Sequence, residues 1–319
     1  MRARFRSWWQ KIKQHPFIVS GIIGSIVLIF SGYWFHWSWT GFNKTLWDWM
    51  QLLIIPIALA LVAIWFNRNE RKNEQKIASD NRQEAALQAY LDRLSELLMK
   101  EGLRTSKPED EVRIAARART LTILRQLDEL RKADVIKFLY ESDLISVDAD
   151  KCVIDLAGAN LREAFFFLAK LSRVNLIGVE LDFAEFSVID LSEANLTEAN
   201  LVGVEFFETD LNKATLCNAN LCYAKLDEAE LSEANFSKAL LNRADLSGAD
   251  LSEAKLNEAD LSEAKLIRAN LGRADLSEAD LSRADLSGAD LSGAIVTTEQ
   301  LAKAKSLKGA TMPDGSIHE

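Results

Sequence analysis

Side chains that carry out chemistry are scarce in this sequence. Histidine occurs three times in 319 residues, at His15, His36 and His318. These positions are too scattered to supply a shared base or metal ligand. Cysteine also occurs three times, at Cys152, Cys217 and Cys222. That is too few for a disulfide framework, and no partner ligands stand at zinc-finger spacing. No glycine-rich phosphate loop and no nucleophile motif is present. Basic charge is in deficit too: 38 Lys and Arg stand against 47 Asp and Glu, a net charge of −9. With no recognised binding motif beside the Arg residues, direct nucleic-acid binding is not expected. The composition therefore implies no catalytic residues, no cofactor and no metal.

What the chain has instead is a period of five. From Leu156 to Leu291 every fifth residue is Leu or Phe, 28 positions without a slip. A second series, Ala159 to Ala294, holds Ala at 23 of 28 positions. Five fits neither the 3.6 of a helix nor the 2 of a flat strand, so the stretch is a repeat. If each pentad is one side of a square coil, four pentads close a 20-residue turn. Phe166, Phe186 and Phe206 lie 20 apart and would then stack in one interior column. Asp or Asn before the Leu suits a corner where a short polar side chain bonds nearby backbone. Glycines such as Gly158, Gly203 and Gly248 fall at an outward position where backbone freedom is useful.

The pattern A(D/N)LXX, clearest in ANLTEANLVG (194–203) and ADLSGADLSEAKLNEADLSEAKL (244–266), resembles the pentapeptide-repeat family over residues 152–296. The resemblance implies an all-β solenoid, a right-handed quadrilateral β-helix, here of about seven coils. Some members are acidic DNA mimics that regulate type II topoisomerases. Membrane-tethered members are common in cyanobacteria, which implies the plasma or the thylakoid membrane.

The front half is different in kind. Residues 1–150 carry 22 Lys and Arg against 18 Asp and Glu, net +4; residues 151–319 carry 16 against 29, net −13. Residues 1–16 are basic, and Phe17 to Phe35 contain no charge, about 28 Å as a helix. A second apolar run, Trp49 to Phe66, holds Pro56, a candidate kink. The two runs predict a transmembrane helical hairpin over 17–66, with tryptophans at its borders. Basic flanks (Arg68, Arg71, Lys72) place both termini on the cytoplasmic side.

Residues 67–145 predict a small α-helical module. Its first helix carries a seam at Leu87, Leu91, Leu94 and Leu98 and ends at Gly102. A second starts at Ser106 and runs to about Arg131, burying Val112, Ala115, Ala116, Ile123, Leu127 and Leu130. A third runs from Asp134 to Leu144. Arg113, Arg117 and Arg119 give the second helix a basic side, a candidate contact for anionic lipid or an acidic partner, or else a face paired with the chain's own acids. The β-helix proper is assigned to 146–296 and a C-terminal cap to 297–319, with a short helix from Thr298 to Ala304.

Outward positions of the early coils include Phe165, Phe167, Leu168, Phe183 and Phe207. Such a patch marks an interface. It is covered by the helical module folding back, or offered to a protein partner or a second copy. Later coils alternate in sign down some columns, as in Lys225, Asp245, Lys265 and Asp285, and are uniformly acidic in others. Together these features read as a membrane-tethered, non-catalytic scaffold with a rigid acidic surface for protein–protein interaction. A DNA-mimic regulator of a type II topoisomerase is the alternative.

Overall fold

The computed structural model of the protein describes residues 46–146 and 152–319, with side chains from residue 57 onward. The basic N-terminus, the first apolar run and the turn after it lie outside the described residues. The chain divides into two compact units, 1–79 and 80–319. Helix α1 spans Leu46–Lys100 and runs through Pro56 without interruption. Of the second apolar run, side chains are described only from Ile57. There Ile57, Leu59, Leu61, Val62, Ile64 and Phe66 are all more than half exposed. Among the described residues no helix is long and apolar enough to cross a membrane.

In the second unit α1 contributes Leu87, Tyr90, Leu94 and Leu97 to a buried stripe. The expected seam is thus rotated: Leu91 and Leu98 are only half-buried and Tyr90 and Leu97 take their place. The stripe packs on the next helix, with the Tyr90 hydroxyl 2.8 Å from that of Thr120. Gly102 follows α1 in the left-handed region at φ 64°. Helix α2 spans Glu111–Leu124 and α3 spans Glu129–Glu141. The predicted second helix, drawn to about Arg131, therefore stops at Leu124, and its last residues open the third helix. Asp128 makes the break, accepting the Arg131 backbone N–H at 3.0 Å as an N-cap. Leu130 ends up 60% exposed, while Ala116, Ile123 and Leu127 are buried as expected.

From Leu156 onward the chain is a solenoid of parallel coils. Isolated bridges join residues 20 apart, from Asn160 with Glu180 to Asp275 with Ile295. All 28 positions of the Leu/Phe series are at most 2% exposed. The rings of Phe166 and Phe186 stack at 4.7 Å, and those of Phe186 and Phe206 at 5.0 Å. These three pentads flatten into short strands, β1 (Phe165–Phe167), β2 (Glu185–Ser187) and β3 (Glu205–Phe207), paired in parallel.

One pentad, 190–194, accounts for all of its own backbone donors. Asp190 N–H reaches back to the Ala169 carbonyl (3.2 Å), and Leu191 N–H reaches forward to that of Asp210 (2.8 Å). Ser192 N–H goes to the Asp190 carboxylate (3.0 Å). Glu193 N–H reaches the Asn212 carbonyl (2.9 Å), and Ala194 N–H closes a turn on Leu191 (3.0 Å). No buried donor is left over. This explains the residue types. A short acid or amide before the Leu is the acceptor that the second-next N–H needs. The residue two after the Leu must be left-handed to aim its N–H along the axis. Glu193 has φ 57°, and Arg243, Glu253 and Arg273 share that conformation. Each costs on the order of 1 kcal/mol outside glycine.

The Ser hydroxyls add to this arrangement. Those of Ser282 and Ser292, with their backbone N–H groups, donate to Asp280 and Asp290 and hold both carboxylates below their ordinary range. A lowered folded value stabilises fully above the unfolded value of about 3.9 and is lost as pH falls through the folded one. The melting temperature of the chain, followed by circular dichroism, should be flat from about pH 7 to 5 and fall below about pH 4. A flat profile down to about pH 2.5 would contradict the assignment.

The C-terminal end deviates by one residue. Helix α4, Thr298–Leu301, is capped by a Thr297–Gln300 box, and Gln300 Nε2 also donates to the carbonyls of Leu276 (2.7 Å) and Ala279 (2.8 Å). After it the bridges shift to 21, Asp285 with Ser306 and Asp290 with Thr311. An antiparallel return, Thr311 with Ile317, covers the last edge.

Candidate interaction surface

The first coil has no predecessor, so carbonyls that later coils satisfy with backbone N–H groups stand open at its N-terminal side. Cationic side chains of the helical module fill them. Arg117 donates from Nε to the Asp155 carbonyl (3.1 Å) and from Nη2 to that of Ala157 (2.9 Å). Arg113 donates to the Cys152 carbonyl at 3.2 Å. Lys132 Nζ donates to the Arg162 carbonyl at 2.7 Å and to Asn160 Oδ1 at 3.3 Å. Burial of Lys132 pushes its pKa down, against the neighbouring acids. Two of the three arginines proposed from sequence thus have their guanidinium groups directed at the solenoid. Arg119 is exposed beside a shallow groove with Ala89, Arg93 and Ala115. Sequence reasoning missed Lys132, because nothing in its neighbours distinguishes a plug from a solvated lysine. Arg131 is held by Asp80 (2.7 Å), Glu84 (3.2 Å) and Asp128.

The module covers the end of the solenoid and leaves the aromatic side open. Helix α3 lies against β1, and Phe165 is half-buried. Phe167, Leu168, Phe183 and Phe207 remain 56%, 62%, 62% and 60% exposed. The helical module, one of the two alternatives for this patch, thus covers it only at Phe165. Its length is spent on the open carbonyl edge, where unpaired backbone would cost more than exposed rings. Phe165 and Phe167 stack at 6.3 Å. The Phe183 ring lies over Gly203, where an added Cβ would sit 2.7 Å from a ring carbon. That glycine is needed for the close approach.

Further along, opposite charges on successive coils meet. Arg243 pairs with Glu263 (2.9 Å) and lies over the Tyr223 ring at 5.5 Å. Lys265 pairs with Asp245 (2.9 Å) and Lys305 with Asp285 (3.0 Å). Such exposed pairs contribute little each. Among the described residues no group of His, Cys, Asp and Glu is placed to hold a metal.

The repeat signature described as "Pentapeptide repeats" matches in overlapping stretches from 154–187 through 259–297, with eight copies. The pentapeptide-repeat protein Rfr23 of the cyanobacterium Cyanothece 51142 is 39% identical over 28% of this chain and 60% of its own, with a TM-score of 0.27. This chain thus spans about 60% of the length of Rfr23. HetL, a pentapeptide-repeat protein involved in heterocyst differentiation regulation in the cyanobacterium Nostoc sp. strain PCC 7120, is 34% identical. The match covers 51% of this chain and 93% of HetL, with a TM-score of 0.17. QnrB1, a plasmid-mediated fluoroquinolone resistance protein, is 17% identical over 47% of this chain and 92% of its own, with a TM-score of 0.21. No curated protein matches the chain. The repeat match and the identity to HetL make the chain a member of the pentapeptide-repeat family.

Proposed function

We propose that this protein is a membrane-tethered, non-catalytic scaffold whose solenoid presents a rigid acidic surface to a protein partner. The observation that carries the reading is the exposed aromatic side of the early coils, Phe167, Leu168, Phe183 and Phe207, held on a backbone with no slack. Surfaces of this kind are retained for binding. Tethering is supported by the uncharged run Phe17–Phe35 and by the apolar, exposed side chains of 57–66 ahead of Arg68, Arg71 and Lys72. That order fits two spans with both termini cytoplasmic, in a plasma or thylakoid membrane. Arg119, exposed on α2, is left as the contact for anionic lipid or an acidic partner.

The DNA-mimic reading draws on uniformly acidic columns such as Asp260 and Asp280. It is disfavoured by the ion pairs that neutralise neighbouring carboxylates. The test is site-directed photocrosslinking from position 207 of the full-length protein in native membranes, with alkaline carbonate washing of the same membranes. One protein captured reproducibly, and a chain that stays in the pellet, are the expected results. Release by carbonate would remove the tether, and no capture from 207 would remove the interface.

A further inference from the structure

The geometry points to a Lys- and Arg-rich amphipathic helix of a partner protein, laid along the solenoid axis across Phe167 and Phe207, as the occupant of the aromatic side; this rests on the scaffold reading and specifies its partner. Phe167, Ser187 and Phe207 occupy one outward column, in register through β1, β2 and β3. Ser187 leaves a gap one coil wide between two exposed rings. At about 4.8 Å per coil the rings are about 9.6 Å apart along the axis. A helix rises about 10.5 Å over seven residues, so side chains at i and i+7 reach both rings and one at i+3 or i+4 enters the gap. Leu168 and Val188, in the next outward column, widen the apolar strip and are 62% and 38% exposed.

The rim decides the sign of the partner. In the outward columns of Phe165, Phe167 and Leu168, counted through the next coil, stand Glu185, Glu205, Glu208, Asp227 and Glu228, against Lys225 alone, and Lys225 is held by Glu205. The rim therefore carries five carboxylates and one ammonium, net −4. A second copy of this face, or an anionic lipid surface, would meet it with like charge, whereas a basic helix meets it with complementary charge. Only the early coils offer both halves of the site. From Asn242 onward the outward apolar residues are nearly gone, and acids such as Asp245 and Glu263 are already paired.

The experiment uses the full-length chain in zwitterionic lipid nanodiscs, with empty discs subtracted. The probe is a fluorescein-labelled 18-residue Leu/Lys amphipathic helix; the same peptide with Glu for Lys is the control. Anisotropy should show saturable binding of the basic peptide only. Binding should weaken about tenfold or more in Phe167→Ser/Phe207→Ser and, independently, in Glu185→Lys/Glu208→Lys. Glu278→Lys in a late coil should leave it unchanged. All three variants alter exposed side chains, and unchanged circular dichroism verifies their fold. Equal binding of the acidic peptide, or basic-peptide binding that both early-coil variants leave intact, would overturn the inference. So would a fall in oligomeric mass on Phe167→Ser/Phe207→Ser, which would make the occupant a second copy. Capture from position 207 of a partner without a basic helix leaves the scaffold reading standing and removes this one; no capture removes both.

Discussion

Replacing Leu246 with Asp is expected to lower the melting temperature of the solenoid by more than about 10 °C, while Glu253→Gln moves it by about 2 °C or less. Leu246 is fully buried. Its loss leaves a cavity worth about 2–5 kcal/mol, and the new carboxylate has no cation within the bore. Burying that charge unpaired adds several kcal/mol. Each coil rests only on its neighbours, so the damage spreads up and down the stack. Glu253 points outward and loses a single contact, to Arg273 at 2.5 Å, of a kind worth about 0–1 kcal/mol. Circular-dichroism melts of both variants make the comparison. Equal melting temperatures would mean that the inward and outward columns are misassigned.

Deleting everything after Leu291 should turn the chain into an edge-to-edge oligomer. The deletion removes the carbonyls that accept from Arg283 (Lys303, 2.8 Å), Leu286 (Ser306, 2.9 Å) and Gly288 (Lys308, 2.9 Å). It also removes the return in which Met312 N–H meets the Ser316 carbonyl at 2.7 Å. A row of unpaired N–H and C=O groups at the end of a parallel stack is a template for another chain. Light scattering of the truncated and full-length proteins in the same detergent should show mass rising with concentration in the former only. Identical masses across a hundredfold dilution would show that the cap has no such role.

The inward columns were legible in the sequence because Leu or Phe recurs at one fixed spacing and Ala, replaced at five positions by Val, Ile or Thr, at the other. The left-handed corners were not. Only six of the 28 positions two after the Leu/Phe are Gly, and the others are residues such as Glu193, Arg243 and Lys238 that give no sign of positive φ. What forces the conformation is the direction of the N–H toward the next coil, a property of the stack and not of the residue. The aromatic patch could be named residue by residue, but whether it was covered depended on where the helical module went. That turned on Arg117 and Lys132 seeking orphaned carbonyls, and an arginine bound for a carbonyl has the same local sequence as one bound for water. The α2–α3 break was marked by Asp128, a cap residue in the middle of an otherwise helical pattern.

The step from an offset of 20 to one of 21, taken up by the four-residue helix α4, has an evolutionary corollary. Genes for such chains can grow or shrink in whole blocks of four pentads, since each block lands every side chain in the column it left. A stray codon inside the stack would rotate everything downstream by a fraction of a side and pull leucines out of the bore. Where the backbone makes a turn of helix, the surplus residue is absorbed harmlessly. Length variation among relatives of this chain should accordingly be quantised in the barrel and continuous only at its tail.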